Sequence, residues 1–204
     1  MSLDSTPAAP RKGAGLAFAY VTTLFFAWGF ATSLIDPLIA AVRRVFDLSF
    51  TEAFLTTFAW FIAYGVASLP AAAVLSKLGY SRAIIAALAT MVAGCLIVPV
   101  ATTVDWYPGV LLALFVIASG VTLLQVAANP LVAELGSPKG ASSRLNLSQA
   151  FNSLGTTIFP YVGSILILGS LAKVTADQLS GAELGAYRTA ETQAIVSGYL
   201  GIAA

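Results

Sequence analysis

The sequence predicts an all-α membrane protein whose chain crosses the bilayer several times. Of its 204 residues, 58% are hydrophobic and only 9% are charged, whereas a soluble domain carries roughly 25% charged residues. The apolar residues lie in uncharged runs of about 20 residues or more, which is the length that an α-helix needs to cross the hydrocarbon of a bilayer. We therefore expect a bundle of spanning helices surrounded by lipid.

Five complete spans and the start of a sixth follow from these runs. Residues 1–14 are polar and form a cytoplasmic tail, and residues 15–204 form the transmembrane bundle. The predicted spans, numbered in chain order, cover residues 15–41, 53–76, 83–104, 108–133, 145–169 and an incomplete 190–204. The first run is about twice the length of the apolar region of a signal peptide, so we expect it to stay in the membrane. Because the sequence stops inside the sixth run, we expect it to be a fragment.

The distribution of basic residues favours a cytoplasmic N-terminus, because loops on the cytoplasmic side carry more lysine and arginine. In this orientation four basic residues lie outside, at positions 43, 44, 173 and 188. The other six lie inside, and they include both basic residues of the tail and both basic residues of the short 76–82 connection.

Composition argues against several classes of function. The chain has no histidine and one cysteine, Cys95, which removes histidine-based catalysis, most zinc sites and any internal disulfide. A net charge of +1 without a basic block argues against a nucleic-acid partner. An intramembrane aspartyl protease needs two carboxylates, whereas the five complete spans hold one. We expect no enzyme, no cofactor and no metal, and no repeated polar ring or re-entrant segment indicates a channel.

The single carboxylate within the five complete spans belongs to Asp36. A charge at this depth is costly, so an ionisable residue inside a span is by default functional. Pro37 has no N–H and leaves the carbonyl of Ser33 without its helical partner, which predicts a polar break in the first span. The alternative is that Asp36 caps the outer end of the helix or pairs with Arg43 and Arg44.

Two later spans carry stripes of polar side chains. The stripes, each within an arc of about 60–100° at 100° per residue, consist of Thr122, Gln125 and Asn129 in the fourth span and Gln149, Asn152, Ser153 and Thr156 in the fifth. Amides and hydroxyls both donate and accept hydrogen bonds, which suits a neutral polyhydroxylated ligand such as a sugar. Hydrogen bonding between helices is the alternative, and the spacing alone does not separate the two.

Aromatic residues accompany the stripes. Trp60 and Tyr64 are four residues apart on one helix face, where their rings are placed to contact the apolar face of a sugar. Packing against other helices is the more common role of such rings.

A faint internal symmetry is also present. Asp36-Pro37 in the first span and Asn129-Pro130 in the fourth lie at comparable positions of helices that run in opposite directions. This is what an inverted repeat of three helices plus three gives, although one shared dipeptide is equally consistent with chance.

Longer motifs carry a resemblance to a known family. The stretches are "LFFAWGFATSLIDPL" (24–38), "LPAAAVLSKLGYSRAI" (69–84), "LLQVAANPLV" (123–132), "SSRLNLSQAFNSLGT" (142–156) and "YRTAETQAIVSGYLGIA" (187–203). At these positions the chain resembles the major facilitator superfamily and, more narrowly, its fucose–galactose–glucose:proton symporter family. The resemblance covers most of the chain and implies the N-terminal six-helix half of a twelve-helix transporter.

The resemblance implies proton-coupled hexose uptake by alternating access in a bacterial cytoplasmic (inner) membrane. Asp36 matches the family's carboxylate for proton coupling and sugar contact, and Gln149 and Asn152 match polar cavity positions. The expected partners are a sugar, a proton, the bilayer and a missing C-terminal half. A fucose or N-acetylhexosamine transporter, or a non-functional fragment, is the alternative.

The chain departs from the family pattern at three positions. Ile35 replaces an asparagine that usually precedes the carboxylate, Ala73 replaces a glycine, and Gln125 stands where the fucose branch carries a glutamate. The glucose/galactose branch shares the glutamine. Since glutamine cannot titrate, Asp36 is the expected proton site and Gln125 an expected sugar ligand, together with Asn129, Gln149 and Asn152.

Overall fold

A computed structural model describes residues 13–33, 39, 42–43, 46, 48–163 and 180–203. Within these ranges the regular structure is entirely helical, which confirms the predicted all-α class. The helices are α1 (Ala14–Ser33), α2 (Phe50–Thr103), α3 (Tyr107–Glu134), α4 (Ala141–Gly163) and α5 (Ala182–Ala203), with a 3₁₀ turn at Pro138–Gly140. Asp36 lies outside the described residues, as does the end of the fifth predicted span.

The second and third predicted spans form the two arms of α2, which meet at Gly79. This residue has φ 73° and ψ 172°, whereas its neighbours on both sides are helical. A positive φ is accessible to glycine without steric cost, and a Cβ at Gly79 would meet no atom within 4 Å. The backbone conformation, not a lack of space, therefore accounts for the glycine. The connection predicted over residues 76–82 is a one-residue break between a first arm (50–78) and a second arm (80–103).

The start of α2 is fixed by a capping box. The backbone N–H of Ser49 donates to the Glu52 carboxylate at 2.9 Å, and the N–H of Glu52 donates to Ser49 Oγ at 3.3 Å. The Tyr107 hydroxyl then donates to the carbonyl of Glu52 at 2.6 Å and lies 2.9 Å from Thr56 Oγ1. The capping box satisfies backbone N–H groups at the start of α2. The bonds of Tyr107 tie the first turn of α2 to the first turn of α3.

Small residues let α2 and α3 approach closely. A Cβ at Gly94 would lie 2.5 Å from the side chain of Ile117, and one at Gly120 would lie 2.7 Å from Met91. Close backbone approach at small residues is how helices associate where lipid removes the hydrophobic driving force. The resulting interface is the most extensive in the described structure, and α5 packs against α2 as well.

The helices α1 and α4 form a second close pair. A Cβ at Gly29 would lie 2.2 Å from the backbone oxygen of Asn152, and one at Gly155 would lie 2.5 Å from that of Phe26. α4 also contacts α3, and α1 contacts α3 more lightly. α3 thus lies between α2 and the pair formed by α1 and α4, and its polar stripe is placed beside α4.

The connection between α3 and α4 is held by Arg144. Its guanidinium donates to the carbonyls of Val132 at 3.1 Å and Ser137 at 3.2 Å. A cation at a helix C-terminus satisfies unpaired carbonyls and complements the helix dipole. The Tyr80 hydroxyl donates to the Glu134 carboxylate at 2.7 Å. The break in α2 and the start of α4 are therefore both fastened to the end of α3.

Three helices in the described part, α1, α2 and α3, are long and apolar enough to cross a membrane by length and composition. α4 has 23 residues, a sufficient length, but its polar side chains lower its hydropathy. The count of six helices and the inverted repeat stay predictions.

We predict that Gly29→Ala destabilises the bundle by roughly 1–3 kcal/mol, because the new methyl group forces α1 away from α4. The control is Gly65→Ala, where a Cβ meets no atom within 4 Å and stability stays equal or rises slightly. Thermal unfolding in detergent, followed by circular dichroism, measures both. A Gly29→Ala protein that melts with the wild type would show that the helices are not in this contact.

Candidate functional site

The two predicted polar stripes meet between α3 and α4. Gln149 Nε2 donates to Asn129 Oδ1 at 3.3 Å. Both side chains are half-buried, so each is partly enclosed by the protein and partly accessible to a ligand. The structure thus brings two of the predicted ligands together as a pair, which we call the amide pair.

The first arm of α2 adds the two predicted aromatic residues to this region. The Tyr64 hydroxyl lies close enough to the side chain of Gln125 for the two groups to interact. The Trp60 and Tyr64 rings are edge-on, with centroids 6.1 Å apart and an interplanar angle of 66°. Both rings are half-buried and pack against a core cluster that includes Leu123 and Leu124. The aromatic face therefore adjoins the stripe of α3.

Asn152 is used differently from the other amides. Its Nδ2 donates to the carbonyl of Phe25 in α1 at 3.0 Å. This bond lies beside the Gly29 contact, so the side chain fastens α4 to α1 with one of its two N–H groups. Its oxygen and second N–H remain for another partner. The interhelical role left open by the sequence is thus observed for Asn152.

Several hydroxyls of the stripes are satisfied within their own helices. Thr122 Oγ1 donates to the carbonyl of Ala118 at 2.8 Å, and Thr156 Oγ1 donates to that of Ser153 at 2.9 Å. Threonine commonly bonds back to its own helix in this way. Thr122 is also buried, so the polar edge of α3 consists of its two amides.

The hydrogen-bond inventory of the amide pair determines what it can bind. An amide side chain has two N–H donors and an oxygen with two lone pairs. After the bond between them, Asn129 retains both donors, and Gln149 retains its oxygen and one donor. Donors and acceptors a few ångströms apart match neighbouring hydroxyls, each of which donates one hydrogen bond and accepts others. The pair is chemically suited to a neutral polyol.

Two contacts in this region were not predicted from the sequence. Trp28 of α1 is half-buried and packs against the same cluster as Trp60 and Tyr64, with its ring 5.4 Å from that of Phe25. Thr22 and Ser148, both buried, share a hydrogen bond of 3.2 Å between α1 and α4. Each belongs to a contact between residues distant in sequence, for which local periodicity gives no signal.

Asp36 cannot be placed relative to these groups, since it is outside the described residues. Ser33, the last residue of α1, is buried, and its hydroxyl donates to the carbonyl of Phe30 at 2.8 Å. Among the residues that the structure describes, no group of three histidine, cysteine, aspartate or glutamate side chains is arranged to hold a metal ion.

Comparison with known proteins identifies the family. A family model described as the Major Facilitator Superfamily matches residues 16–173. The chain belongs to the Major Facilitator Superfamily. This confirms the family that the motifs resemble, and with the apolar helices it makes the chain a multi-pass, membrane-embedded protein.

Relatives within the superfamily include sugar transporters. The chain is 45% identical over 172 residues to a glucose/galactose transporter of Brucella abortus, covering 84% of the chain and 42% of the relative. It is 33% identical over 192 residues to the L-fucose-proton symporter of Escherichia coli, covering 93% of the chain and 44% of the relative. The chain thus spans somewhat less than half the length of these relatives.

Solved superfamily structures agree with this comparison. A crystal structure of FucP in the outward conformation has a TM-score of 0.84 and 32% sequence identity, covering 94% of this chain and 47% of that one. A variant of the E. coli fucose:proton symporter gives a TM-score of 0.80 at 31% identity, covering 94% and 48%. The described helices are therefore arranged as in these transporters.

We predict a measurable coupling energy within the amide pair. In a double-mutant cycle of Asn129→Ala and Gln149→Ala, the free energies of unfolding should be non-additive by about 0.6–1.7 kcal/mol, the range for interhelical hydrogen bonds in membranes. The control cycle combines Gln149→Ala with Ser119→Ala, since the Ser119 hydroxyl donates to Phe115 of its own helix. Equal coupling in the two cycles would contradict the pair.

Proposed function

We propose that this chain forms the N-terminal half of a proton-coupled hexose symporter that works by alternating access, with glucose or galactose as its substrate. The observation that carries the proposal is the amide pair. Gln125 lies on the neighbouring turn of α3, and Tyr64 lies on the first arm of α2, which faces it. These groups offer donors, acceptors and an aromatic edge in one half-buried region, which is the chemistry that a sugar requires.

The relatives support the same class of substrate. A protein 45% identical to the chain is named a glucose/galactose transporter, and one 33% identical is named an L-fucose-proton symporter. The identity to the glucose/galactose transporter is higher, and this difference, together with the glutamine at position 125, favours glucose or galactose as the substrate. A fucose or N-acetylhexosamine substrate is the second candidate, supported by the fucose symporters among the relatives and by the structural likeness to FucP.

Our proposal assigns the proton to Asp36. The five complete predicted spans contain no other carboxylate, and the side chains of the amide pair and of Gln125 cannot take up a proton near neutral pH. A group that alternates between charged and neutral forms inside a membrane is what coupling to a proton gradient needs. The amides then bind the sugar and Asp36 carries the proton.

A second six-helix half is part of this proposal. One face of α4 exposes both polar and large apolar side chains, among them Asn146, Ser153 and Leu154. Lipid cannot satisfy the polar members, which therefore need a water-filled cavity or another helix bundle beside them. Binding sites of such transporters lie between two halves, and the relatives are more than twice as long as the matched region.

The remaining features of the proposal concern topology. The chain contributes six spans in an inverted repeat of three plus three, and its N-terminus is cytoplasmic in a bacterial inner membrane. The positions of lysine and arginine and the matching dipeptides at Asp36-Pro37 and Asn129-Pro130 support this arrangement.

Asp36→Asn should abolish proton-driven sugar accumulation, because asparagine cannot bind and release a proton. Accumulation of labelled glucose and galactose in proteoliposomes with an imposed pH gradient, using the complete transporter that carries this chain, measures the effect. Asp105→Asn is the matched control, since Asp105 is exposed beyond the end of α2 and its variant should accumulate sugar normally. An Asp36→Asn protein that still concentrates sugar would rule out the assigned proton site.

Gln125→Ala should weaken sugar binding about tenfold, the loss expected for one hydrogen bond to a neutral ligand. Titration of the purified transporter with glucose or galactose, followed by calorimetry, measures the dissociation constant. Ser119→Ala, six residues earlier on the same helix, is the control and should bind normally. Unchanged affinity in Gln125→Ala would assign the glutamine to packing with Tyr64 instead.

A further inference from the structure

Tyr199 of α5 has a buried hydroxyl that lacks a hydrogen-bond partner in the described part of the structure. The residue is 0% exposed and is the largest fully buried side chain in the described structure. Its hydroxyl is the single buried side-chain polar atom there that lacks a partner. A hydroxyl removed from water without a replacement bond raises the free energy of the state that contains it, so this arrangement of α5 carries a local cost.

The side chains around Tyr199 offer its hydroxyl no strong hydrogen-bond partner. Tyr199 packs in a cluster with Cys95, Val98, Leu114, Ile195 and other apolar side chains of the second arm of α2, of α3 and of α5, and the cluster also includes Val42. The Cys95 thiol is close enough to interact electrostatically with the phenol, but a thiol is a weak donor and a weak acceptor. Phenylalanine would fill the same space without the cost, so packing alone does not account for the hydroxyl.

Other buried hydroxyls of the bundle are paired. Thr22 and Ser148 bond to each other, Thr102 donates to the carbonyl of Val98, and Thr122 donates to that of Ala118. The bundle therefore satisfies its buried hydroxyls as a rule, and Tyr199 is the exception. Its position, between α5 and the second arm of α2, is a contact between two helices and thus one that a relative shift of those helices can change.

We propose that Tyr199 is a positioning residue of the transport cycle. Its hydroxyl gains a hydrogen-bond partner, from water or from another helix, only when α5 shifts against the second arm of α2. The hydroxyl thereby favours the shifted arrangement over the packed one and lowers the cost of leaving the packed state. The proposal rests on the proposed function, because a cycle of at least two arrangements is what alternating access requires.

Tyr199→Phe tests the proposal through three measurements. The melting temperature should rise, because the packed state loses an unsatisfied group. Labelling of Cys95 by a membrane-permeant maleimide, followed by mass spectrometry of its peptide, should slow about tenfold, since the thiol is 1% exposed in the packed state. The maximal rate of sugar transport should fall by a similar factor while the dissociation constant for sugar stays unchanged.

Tyr107→Phe is the matched control, because its hydroxyl is already bonded at 2.6 Å to the Glu52 carbonyl. That variant should melt at a lower temperature and label Cys95 at the wild-type rate or faster. A lower melting temperature or unchanged labelling in Tyr199→Phe would overturn the proposal, as would slower labelling with an unchanged maximal transport rate. A wild-type protein that labels as expected but transports no sugar would refute the proposed function instead.

Discussion

The hydrocarbon of a bilayer offers no hydrogen bonds, and this constraint determines where the polar side chains of the chain lie. Every amide or hydroxyl inside a spanning helix needs a partner from its own helix, from another helix or from an aqueous cavity. Thr122 uses the first solution and Asn152 the second. The amide pair combines the second with free donors and acceptors, which is why we place the ligand at this pair and the neighbouring Gln125 and not at Thr122.

Close helix contacts make these bonds possible. α4 reaches the carbonyl of Phe25 because Gly29 and Gly155 allow α1 and α4 to pack backbone against backbone. Gly94 and Gly120 do the same for α2 and α3, so α3 is fixed between α2 and the pair formed by α1 and α4. Glycine serves here by lacking a side chain, whereas at Gly79 it serves by accepting a positive φ. Glycines at the helix contacts thus help to position the amides, and Gly79 ends the first arm of α2.

Composition and periodicity predicted the features that depend on local sequence. The apolar runs indicate the helical class, and spacing placed Gln125 and Asn129 on one face of a helix. The partners of those side chains depend on helices far away in the sequence: neither the bond from Gln149 to Asn129 nor that from Asn152 to Phe25 follows from periodicity. The unpaired hydroxyl of Tyr199 is a further example, because a sequence shows which polar groups exist but not which remain unsatisfied. The family resemblance proposes site residues but gives no information on the bonds that they form.

The central claim is that the polar region between α2, α3 and α4 belongs to a transporter that moves sugar and protons together. The most direct measurement adds glucose or galactose to proteoliposomes that contain the complete transporter, without an imposed gradient, and records the external pH. Our account predicts saturable sugar uptake accompanied by alkalinisation of the medium as protons enter with the sugar. Sugar entry without a pH change, or an ohmic conductance without saturable uptake, would contradict it.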